Sequence, residues 1–270
     1  MTLIGQISDL HIAQPGRPAY GEIDTGYYLQ ATVDHLSGLN PPLDALVITG
    51  DLAHDGEPEA YSSLARILGR LKVPIFLVPG NHDRRSAMVA DLSPYYPPGS
   101  GQEQDLAPYL CGGSTVGSAR LIFFDGTREG FHGGGLAPQV AAWLKGALCA
   151  QPGVPTLVFT HHPPFLSGLE FMDEPYLDSG LLAEIMGAHQ SALLCCGHLH
   201  RGLATVWAGG PAMVCPSLAL NMELDFLPGG GNAFTVGAPA YVLHHLIGDT
   251  INTHFCQAPG SWPFDGPFGF

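Results

Sequence analysis

Short apolar runs, each ending in a polar cluster, recur along the first two hundred residues of the chain. Continuous runs of Val, Ile, Leu and Phe that are bounded by Gly and Pro are typical of strands buried on both faces. The predicted strands cover residues 3–8, 45–49, 74–78, 120–124, 156–160 and 192–196. The polar clusters that follow them begin at Asp9, Gly50, Pro79, Asp125, His161 and Gly197. The pattern therefore predicts buried strands whose carboxyl ends carry polar side chains.

Apolar residues at helical spacing lie between these runs. The predicted helices cover residues 25–39, 58–71, 138–148 and 181–186, and Pro58 suits a first helical turn. This alternation of strand and helix indicates an α/β layered domain. Because ligands of such sheets bind outside the carboxyl ends of the strands, we expect the polar clusters to converge on one site.

The pattern changes after about residue 205. Residues 213–218 and 241–247 are strand-like, and residues 226–239 are rich in Gly and Pro. The last twelve residues contain three Pro, three Gly and three Phe. We interpret residues 1–204 as the core and residues 205–270 as closing strands with a small cap or oligomer-contact segment. A disordered end is the alternative for the aromatic tail.

Composition narrows the classes of function. The chain has 24 acidic and 10 basic side chains and a net charge of −14, which disfavours a nucleic-acid polymer as partner. With 46% hydrophobic and 13% charged residues, the chain can bury a large core. The sequence contains neither an apolar run long enough to cross a bilayer nor a signal-peptide pattern, so we expect a cytoplasmic protein without membrane partners.

Histidines outnumber Lys and Arg combined, 13 against 10, and several follow predicted strands. The side chains of metal-ligand type at the strand ends are Asp9, His11, Asp51, Asn81, His161, His198 and His200. Residues two apart in extended backbone share a face, so the 9/11 and 198/200 pairs can each present two ligands to one point. Seven ligands exceed the need of one zinc-like ion but suit two ions that share a carboxylate. Two such ions can clamp the attacking and leaving oxygens of a phosphoryl displacement.

Five motifs in order carry a family resemblance. They are Asp9-x-His11, Gly50-Asp51, Gly80-Asn81-His82-Asp83, His161-His162-Pro163 and Gly197-His198-x-His200. This set resembles that of the calcineurin-like metallophosphoesterases over residues 9–200. The opening IGQISDLH, with Ala19-Tyr20-Gly21 soon after it, is similar to the class III cyclic-nucleotide and glycerophosphodiester phosphodiesterases. The resemblance implies a four-layer αββα sandwich, with two mixed sheets flanked by helices.

The resemblance also implies a dinuclear metal centre. Asp9, His11 and His200 would hold the first ion, Asn81, His161 and His198 would hold the second, and Asp51 would bridge both. The ions would be divalent or trivalent Fe, Mn, Zn or Co. A metal-bound hydroxide would attack a small phosphodiester in line, either a 3′,5′-cyclic nucleotide or a glycerophosphodiester. His82 and Asp51 would be the catalytic residues, with His82 stabilising or protonating the departing oxygen.

The motifs constrain the substrate-binding residues and the choice between related functions less strictly. We predict substrate-binding roles for Tyr20, Asn81, His82, Arg84, Thr127, His162 and Asn221. Asp83 is predicted to orient His82, and Arg84 and Arg85 to engage a second anionic group, whereas His54 is expected to have a surface role. A phosphomonoesterase acting on nucleotides or other small esters is the alternative function. The resemblance further implies a homo-oligomer.

Overall fold

The computed structural model describes residues 1–100, 104–230 and 232–269. The strands are β1 (Thr2–Ile7), β2 (Ala45–Thr49), β3 (Ile75–Val78), β4 (Gly112–Val116), β5 (Ala119–Phe123), β6 (Thr156–Phe159), β7 (Leu193–Cys196), β8 (Leu203–Trp207), β9 (Gly210–Val214), β10 (Leu220–Met222), β11 (Ala233–Val236), β12 (Ala240–Ile247), β13 (Thr250–Gln257) and β14 (Asp265–Gly269). The α-helices are α1 (Thr25–Ser37), α2 (Pro58–Leu68), α3 (Arg85–Leu92), α4 (Pro138–Cys149) and α5 (Ser179–Gly187). Among these described helices, none combines the length and the apolar character that crossing a bilayer requires.

Two large sheets and one small sheet organise these strands. The first sheet has the order β13-β12-β1-β2-β3, the second has the order β4-β5-β6-β7-β9-β8, and the small sheet has the order β10-β11-β14. Strands β1, β2 and β3 are parallel, as are β5, β6, β7 and β9. The parallel strands of each large sheet therefore end at one edge, where the polar clusters follow.

Three apolar layers hold the sheets and helices together. Between the sheets, Val47 of β2 and Phe159 of β6 belong to one buried cluster. On the outer face of the first sheet, α1 and α2 pack through residues such as Leu29 and Leu64. On the outer face of the second, α4 and α5 contribute residues such as Leu144 and Leu182. The molecule is thus the αββα sandwich that the family resemblance implied.

Most predicted elements form, with local differences. Helix α1 begins at Thr25, where the Asp24 side chain accepts a hydrogen bond from the Tyr27 amide as an N-cap. The strand predicted over residues 213–218 is wrong in position, because β9 already ends at Val214. The next residues leave the sheet, and the Ser217 hydroxyl donates to the Asp9 carbonyl at 2.9 Å. The helix α3 was not predicted.

The described part of the aromatic tail forms strand β14 and contacts α1. Strand β14 pairs antiparallel with β11 and places Phe268 opposite Phe234. The Trp262 ring lies 5.1 Å from the Tyr28 ring of α1, measured between centroids. The tail therefore covers α1 and extends the small sheet, whereas Phe270 lies outside the described residues.

His244 of β12 is fully buried between polar partners. Its Nε2 donates to Gln6 Oε1 at 3.0 Å, and its Nδ1 lies 3.0 Å from Thr253 Oγ1. Burial lowers the pKa of His244 to about 3. Since the unfolded chain binds this proton below about pH 6.5 and the folded chain does not, stability falls as the pH decreases from there toward 3.

We expect His244→Gln to remove this source of acid sensitivity. Between pH 7 and pH 5, the unfolding free energy of the variant should decrease by about 2 kcal/mol less than that of the parent. Urea unfolding of the ion-free proteins measures this difference, and His254→Gln, at an exposed position of β13, is the matched control. Equal pH dependence of the parent and the His244 variant would contradict the assignment.

Candidate metal centre and substrate cavities

The structure brings the seven predicted ligands together at the edge where β1, β2, β3, β6 and β7 end. One ligand atom from each of Asp9, His11, Asp51 and His200 lies within 4.8 Å of the others, and all four residues are buried. Within this group, His11 Nε2 is 3.0 Å from His200 Nε2, and His200 Nε2 is 3.6 Å from Asp9 Oδ1. These four side chains form one half of the candidate centre.

The other half gathers around Asn81. The amide oxygen of Asn81 lies 3.1 Å from His161 Nε2 and 3.1 Å from His198 Nδ1. Asp51 lies between the halves, because its Oδ2 is 3.6 Å from His11 Nε2 and 3.4 Å from His161 Nε2. The Asp51 carboxylate is therefore the group placed to be shared.

An unusual backbone conformation aims these side chains at a common point. Asp9, His11, Asp51, His198 and His200 have φ values of 52°, 43°, 47°, 73° and 53°. Non-glycine residues in this left-handed region carry strain of about 1–3 kcal/mol each, which the surrounding structure must offset. Backbone hydrogen bonds between the loops after β1 and β2, from Asp9 to the Gly50 carbonyl and from His11 to the Asp51 carbonyl, hold part of this arrangement.

Close approach of the backbone explains the glycines in the motifs. A Cβ atom at Gly80 would overlap Asp51 Oδ1, and a Cβ atom at Gly197 would overlap Ser8 Oγ and crowd Asp9. The loops after β3 and β7 can therefore approach the carboxylates only if these two positions lack a side chain. The spacing of the motifs thus reflects the packing of five loops around one centre.

The electrostatic environment of the ligand cluster favours binding of a cation. Burial raises the pKa of Asp9 to about 7, and the Asp51 carboxylate adds to the rise while His161 opposes it. Burial disfavours protonation of His161, yet Asp51 and Asp9 outweigh it and raise the pKa of His161 to about 9. Burial also holds the pKa of His198 well below its usual range, so this ring keeps a lone pair for a ligand bond. The site stabilises positive charge beside the carboxylates.

The donor set fits metal ions. Two carboxylates, one amide oxygen and four imidazoles are N and O donors that first-row transition metals bind. Bonds of about 2.1 Å around a tetrahedral or octahedral ion separate neighbouring ligand atoms by roughly 3.0–3.4 Å. The separations of 3.0–3.6 Å between the ligand atoms are close to this range.

His82 is oriented by backbone rather than by Asp83. Its Nδ1 donates to the His54 carbonyl at 2.7 Å, and its backbone amide donates to Asp51 Oδ1 at 3.0 Å. The Asp83 carboxylate instead accepts from the Tyr61 hydroxyl and from the amides of residues 52, 53 and 80. The predicted orienting role of Asp83 is therefore corrected: through these hydrogen bonds, Asp83 connects the loop after β2 to the loop after β3.

His54 belongs to the site, so the predicted surface role is corrected. Its ring centroid lies 5.6 Å from that of His11 and 4.4 Å from that of Tyr20, and its carbonyl holds His82. The spacing of three residues from Asp51 was the signal available in the sequence. It was weak because His54 is not part of any of the five motifs.

Two cavities open from the centre and share Asn81 and His82. The first has a volume of about 400 Å³ and is lined by Tyr20, Asp51, Asn81, His82, His132, Phe171, Met172, Glu174, His198 and His200. The second, of about 570 Å³, includes Arg84, Thr127, Arg128 and Glu129 in its lining. The walls at residues 171, 172 and 174 were not predicted.

The predicted substrate-binding residues differ in their placement. Tyr20 lines the first cavity, and Arg84 lines the second. The Thr127 hydroxyl lines the second cavity but donates to Asp125 Oδ1 at 2.6 Å. Asn221 lies in β10 and outside both cavity walls. Its substrate-binding role stays a prediction.

The side chains of Arg85 and His162 already have hydrogen-bond partners within the protein. Arg85 binds Asp125 through two hydrogen bonds of 2.7 and 2.9 Å, so its charge is neutralised within the protein. His162 is buried behind the centre, and its Nε2 donates to the His132 carbonyl at 2.8 Å. The predicted role of Arg85 toward a second anionic group has no support in this geometry.

The amino-acid sequence is similar to those of known phosphodiesterases over nearly its whole length. The chain is 29% identical to a probable glycerophosphodiester phosphodiesterase, GpdQ, of Arcobacter nitrofigilis, over 99% of this chain and 96% of that protein. It is 32% identical to a probable cyclic nucleotide phosphodiesterase of Rhodopseudomonas palustris, over 97% and 93%. It is 28% identical to the 3′,5′-cyclic adenosine monophosphate phosphodiesterase CpdA of Escherichia coli K12, over 91% and 90%.

Solved structures share the fold at low sequence identity. A dimetal phosphatase from Danio rerio superimposes with a TM-score of 0.65 at 15% identity, covering 96% of this chain and 99% of that one. The purple acid phosphatase PPD1 from yellow lupin gives 0.67 at 13% identity, covering 95% and 51%. Residues 2–202 match the family model for calcineurin-like phosphoesterases. This chain belongs to the calcineurin-like phosphoesterase family.

Proposed function

We propose that this protein is a metal-dependent phosphodiesterase that hydrolyses small phosphodiesters, either 3′,5′-cyclic nucleotides or glycerophosphodiesters. The observation that carries the proposal is the pair of cavities that meet at Asn81 and His82. An open-chain phosphodiester, such as a glycerophosphodiester, has two separate ester substituents, and one can enter each cavity while the phosphate lies at the shared residues. In a 3′,5′-cyclic nucleotide both ester bonds lead to the same ribose, so the pair of cavities supports the open-chain class. A phosphomonoester would use only one cavity. The names of the relatives agree with a diester substrate.

We assign the two halves of the cluster to two metal ions. Asp9, His11 and His200 would hold one ion, Asn81, His161 and His198 the other, and Asp51 would bridge them. When bound, such ions supply positive charge for the phosphate oxygens and lower the pKa of water to near neutrality. The mixed N and O donors accept Fe, Mn, Zn or Co.

The protein's own groups then bind and orient the diester. The Asn81 amide oxygen faces the two imidazoles, so its NH₂ group remains to donate to a phosphate oxygen. His82 uses Nδ1–H to bind the His54 carbonyl, which leaves Nε2 for the substrate. In its imidazolium form, Nε2–H of His82 donates to the departing ester oxygen and transfers the proton as the P–O bond breaks. The negative charge that develops on this oxygen is thereby neutralised.

Several wider features are part of the proposal. The net charge of −14 supports a small substrate rather than a nucleic-acid polymer. Exposed apolar side chains at Phe226, Leu227 and Phe264 support a homo-oligomer. All seven ligands lie within the proposed core of residues 1–204. A cytoplasmic location is retained as a proposal from the sequence alone.

A comparison of two chromogenic esters tests the proposed function. With Mn²⁺, Co²⁺ or Zn²⁺, we expect kcat/KM for bis(p-nitrophenyl) phosphate to exceed that for p-nitrophenyl phosphate by at least about tenfold, because only the diester fills both cavities. A panel of 3′,5′-cAMP, glycerophosphocholine and glycerophosphoethanolamine then separates the two diester classes. Equal or reversed rates for the chromogenic pair would favour the phosphomonoesterase instead.

A further inference from the structure

His162 follows the ligand His161 in the sequence, and its ring is buried next to the candidate metal centre. Its side chain is 2% exposed, and its Nε2–H donates to the His132 carbonyl at 2.8 Å. A neutral imidazole carries one proton, so Nδ1 of His162 is an acceptor. Within residues 1–100, 104–230 and 232–269, this Nδ1 has no hydrogen-bond partner. A buried acceptor without a partner calls for an explanation.

The neighbouring ring of His198 also has a buried nitrogen atom without a partner among the described residues. Its Nδ1 faces Asn81 Oδ1 at 3.1 Å, while its Nε2 is buried and has no partner among the same described residues. The rings of His162 and His198 lie 4.7 Å apart between centroids. A cavity of about 10 Å³, lined by both rings and by Met172, adjoins them and has room for about one water.

Two tautomers compete at His198. With the proton on Nδ1, the ring donates to Asn81 Oδ1 and has no lone pair for a metal ion at that nitrogen. With the proton on Nε2, the Nδ1 lone pair faces the centre, but the buried Nε2–H then needs an acceptor. Metal binding at Nδ1 therefore requires an acceptor for the Nε2–H.

We propose that His162 is a positioning residue: one water accepts the Nε2–H of His198 and donates to Nδ1 of His162, and so stabilises the metal-binding tautomer of His198. The inference rests on the proposed function, because it concerns a ligand of the proposed centre. Partners of the outer nitrogen commonly fix the orientation and tautomer of metal-ligating histidines. Here the partner is a second histidine rather than a carboxylate.

The glycine-rich segment at residues 133–135 supports this arrangement. A Cβ atom at Gly134 would overlap the Cβ and Cγ atoms of His162. The absence of a side chain there lets the segment approach closely and lets the His132 carbonyl reach Nε2. This carbonyl fixes the His162 tautomer, and the acceptor at Nδ1 follows from it.

Two substitutions of His162 test the role of Nδ1 as a hydrogen-bond acceptor. His162→Phe removes both ring nitrogens, whereas His162→Asn places an oxygen near the position of Nδ1, and both lose the donor to the His132 carbonyl. We expect the affinity for one of two Co²⁺ ions, measured by titration, to fall about 10–100-fold in His162→Phe. The His162→Asn variant should recover most of it. Thermal unfolding of the ion-free variants reports whether both remain folded.

Imidazole ¹⁵N–¹H correlation spectra of the Zn²⁺-loaded protein give a second readout, with His198 assigned by His198→Gln. We expect the Nε2–H of His198 to exchange slowly with solvent in the parent and in His162→Asn, and faster in His162→Phe. Equal Co²⁺ affinities in the two variants, or equal exchange rates, would overturn the proposal. Since neither readout needs turnover, an inactive parent that gives both expected results would instead refute the proposed function.

Discussion

Replacing Asp51 by asparagine is expected to lower kcat/KM for diester hydrolysis on the order of 10³-fold. The Asp51 carboxylate is the only group placed between the two halves of the described ligand cluster, with Oδ2 at 3.6 Å from His11 Nε2 and 3.4 Å from His161 Nε2. Burial opposes its ionisation, but the nearby imidazoles, His161 foremost, hold the pKa of Asp51 well below its usual range. The amide keeps the shape but loses the charge that two cations require.

Metal analysis after dialysis, together with kcat/KM for bis(p-nitrophenyl) phosphate, checks this expectation. We expect Asp51→Asn to retain less than the parent's content of metal and to unfold at a similar temperature when both proteins are ion-free. Asp34→Asn is the matched control, because Asp34 is an exposed residue of α1 paired with Arg70. Parent-like activity of Asp51→Asn with a full metal complement would exclude a bridging carboxylate.

The parts of the centre that could be predicted are those with strict local requirements. Gly80 and Gly197 are needed because a Cβ atom would overlap a neighbouring loop, so each appears directly before a ligand in the sequence. The carboxyl ends of parallel strands place the loops on one edge, which makes convergence predictable from strand order alone. These constraints fix the residue type at a few positions, and a sequence pattern records them.

Other parts depend on packing between distant segments. The strand pattern alone indicates a layered α/β domain but not the number of sheets, because strands of both sheets are buried on both faces and carry the same signal. The wall formed by Phe171 and Glu174 comes from the loop between β6 and α5, which has no motif. The His54 carbonyl that orients His82 is a backbone group, and any residue type would supply it. Sequence patterns do not encode such contacts.

Replacing His82 by alanine is expected to slow hydrolysis of an alkyl diester such as glycerophosphocholine by about 10²–10³-fold. The departing alkoxide is strongly basic, so its expulsion depends on the proton that Nε2 of His82 supplies. The contact between Asp51 Oδ1 and the backbone amide of residue 82 does not involve the imidazole. Metal content, measured after dialysis, should therefore stay at the parent level.

The dependence on the leaving group identifies which step His82 assists. A p-nitrophenolate departs without protonation, so His82→Ala should slow bis(p-nitrophenyl) phosphate hydrolysis by less than about tenfold while the alkyl diester shows the full defect. The control for removal of an imidazole elsewhere is His189→Ala, because His189 lies two residues after the end of α5 and contacts Cys149. An equal loss for both substrates would assign His82 to phosphate binding alone, because a contact to the non-bridging oxygens stabilises both reactions alike. A large defect confined to the alkyl diester is the result that proton transfer to the departing oxygen requires.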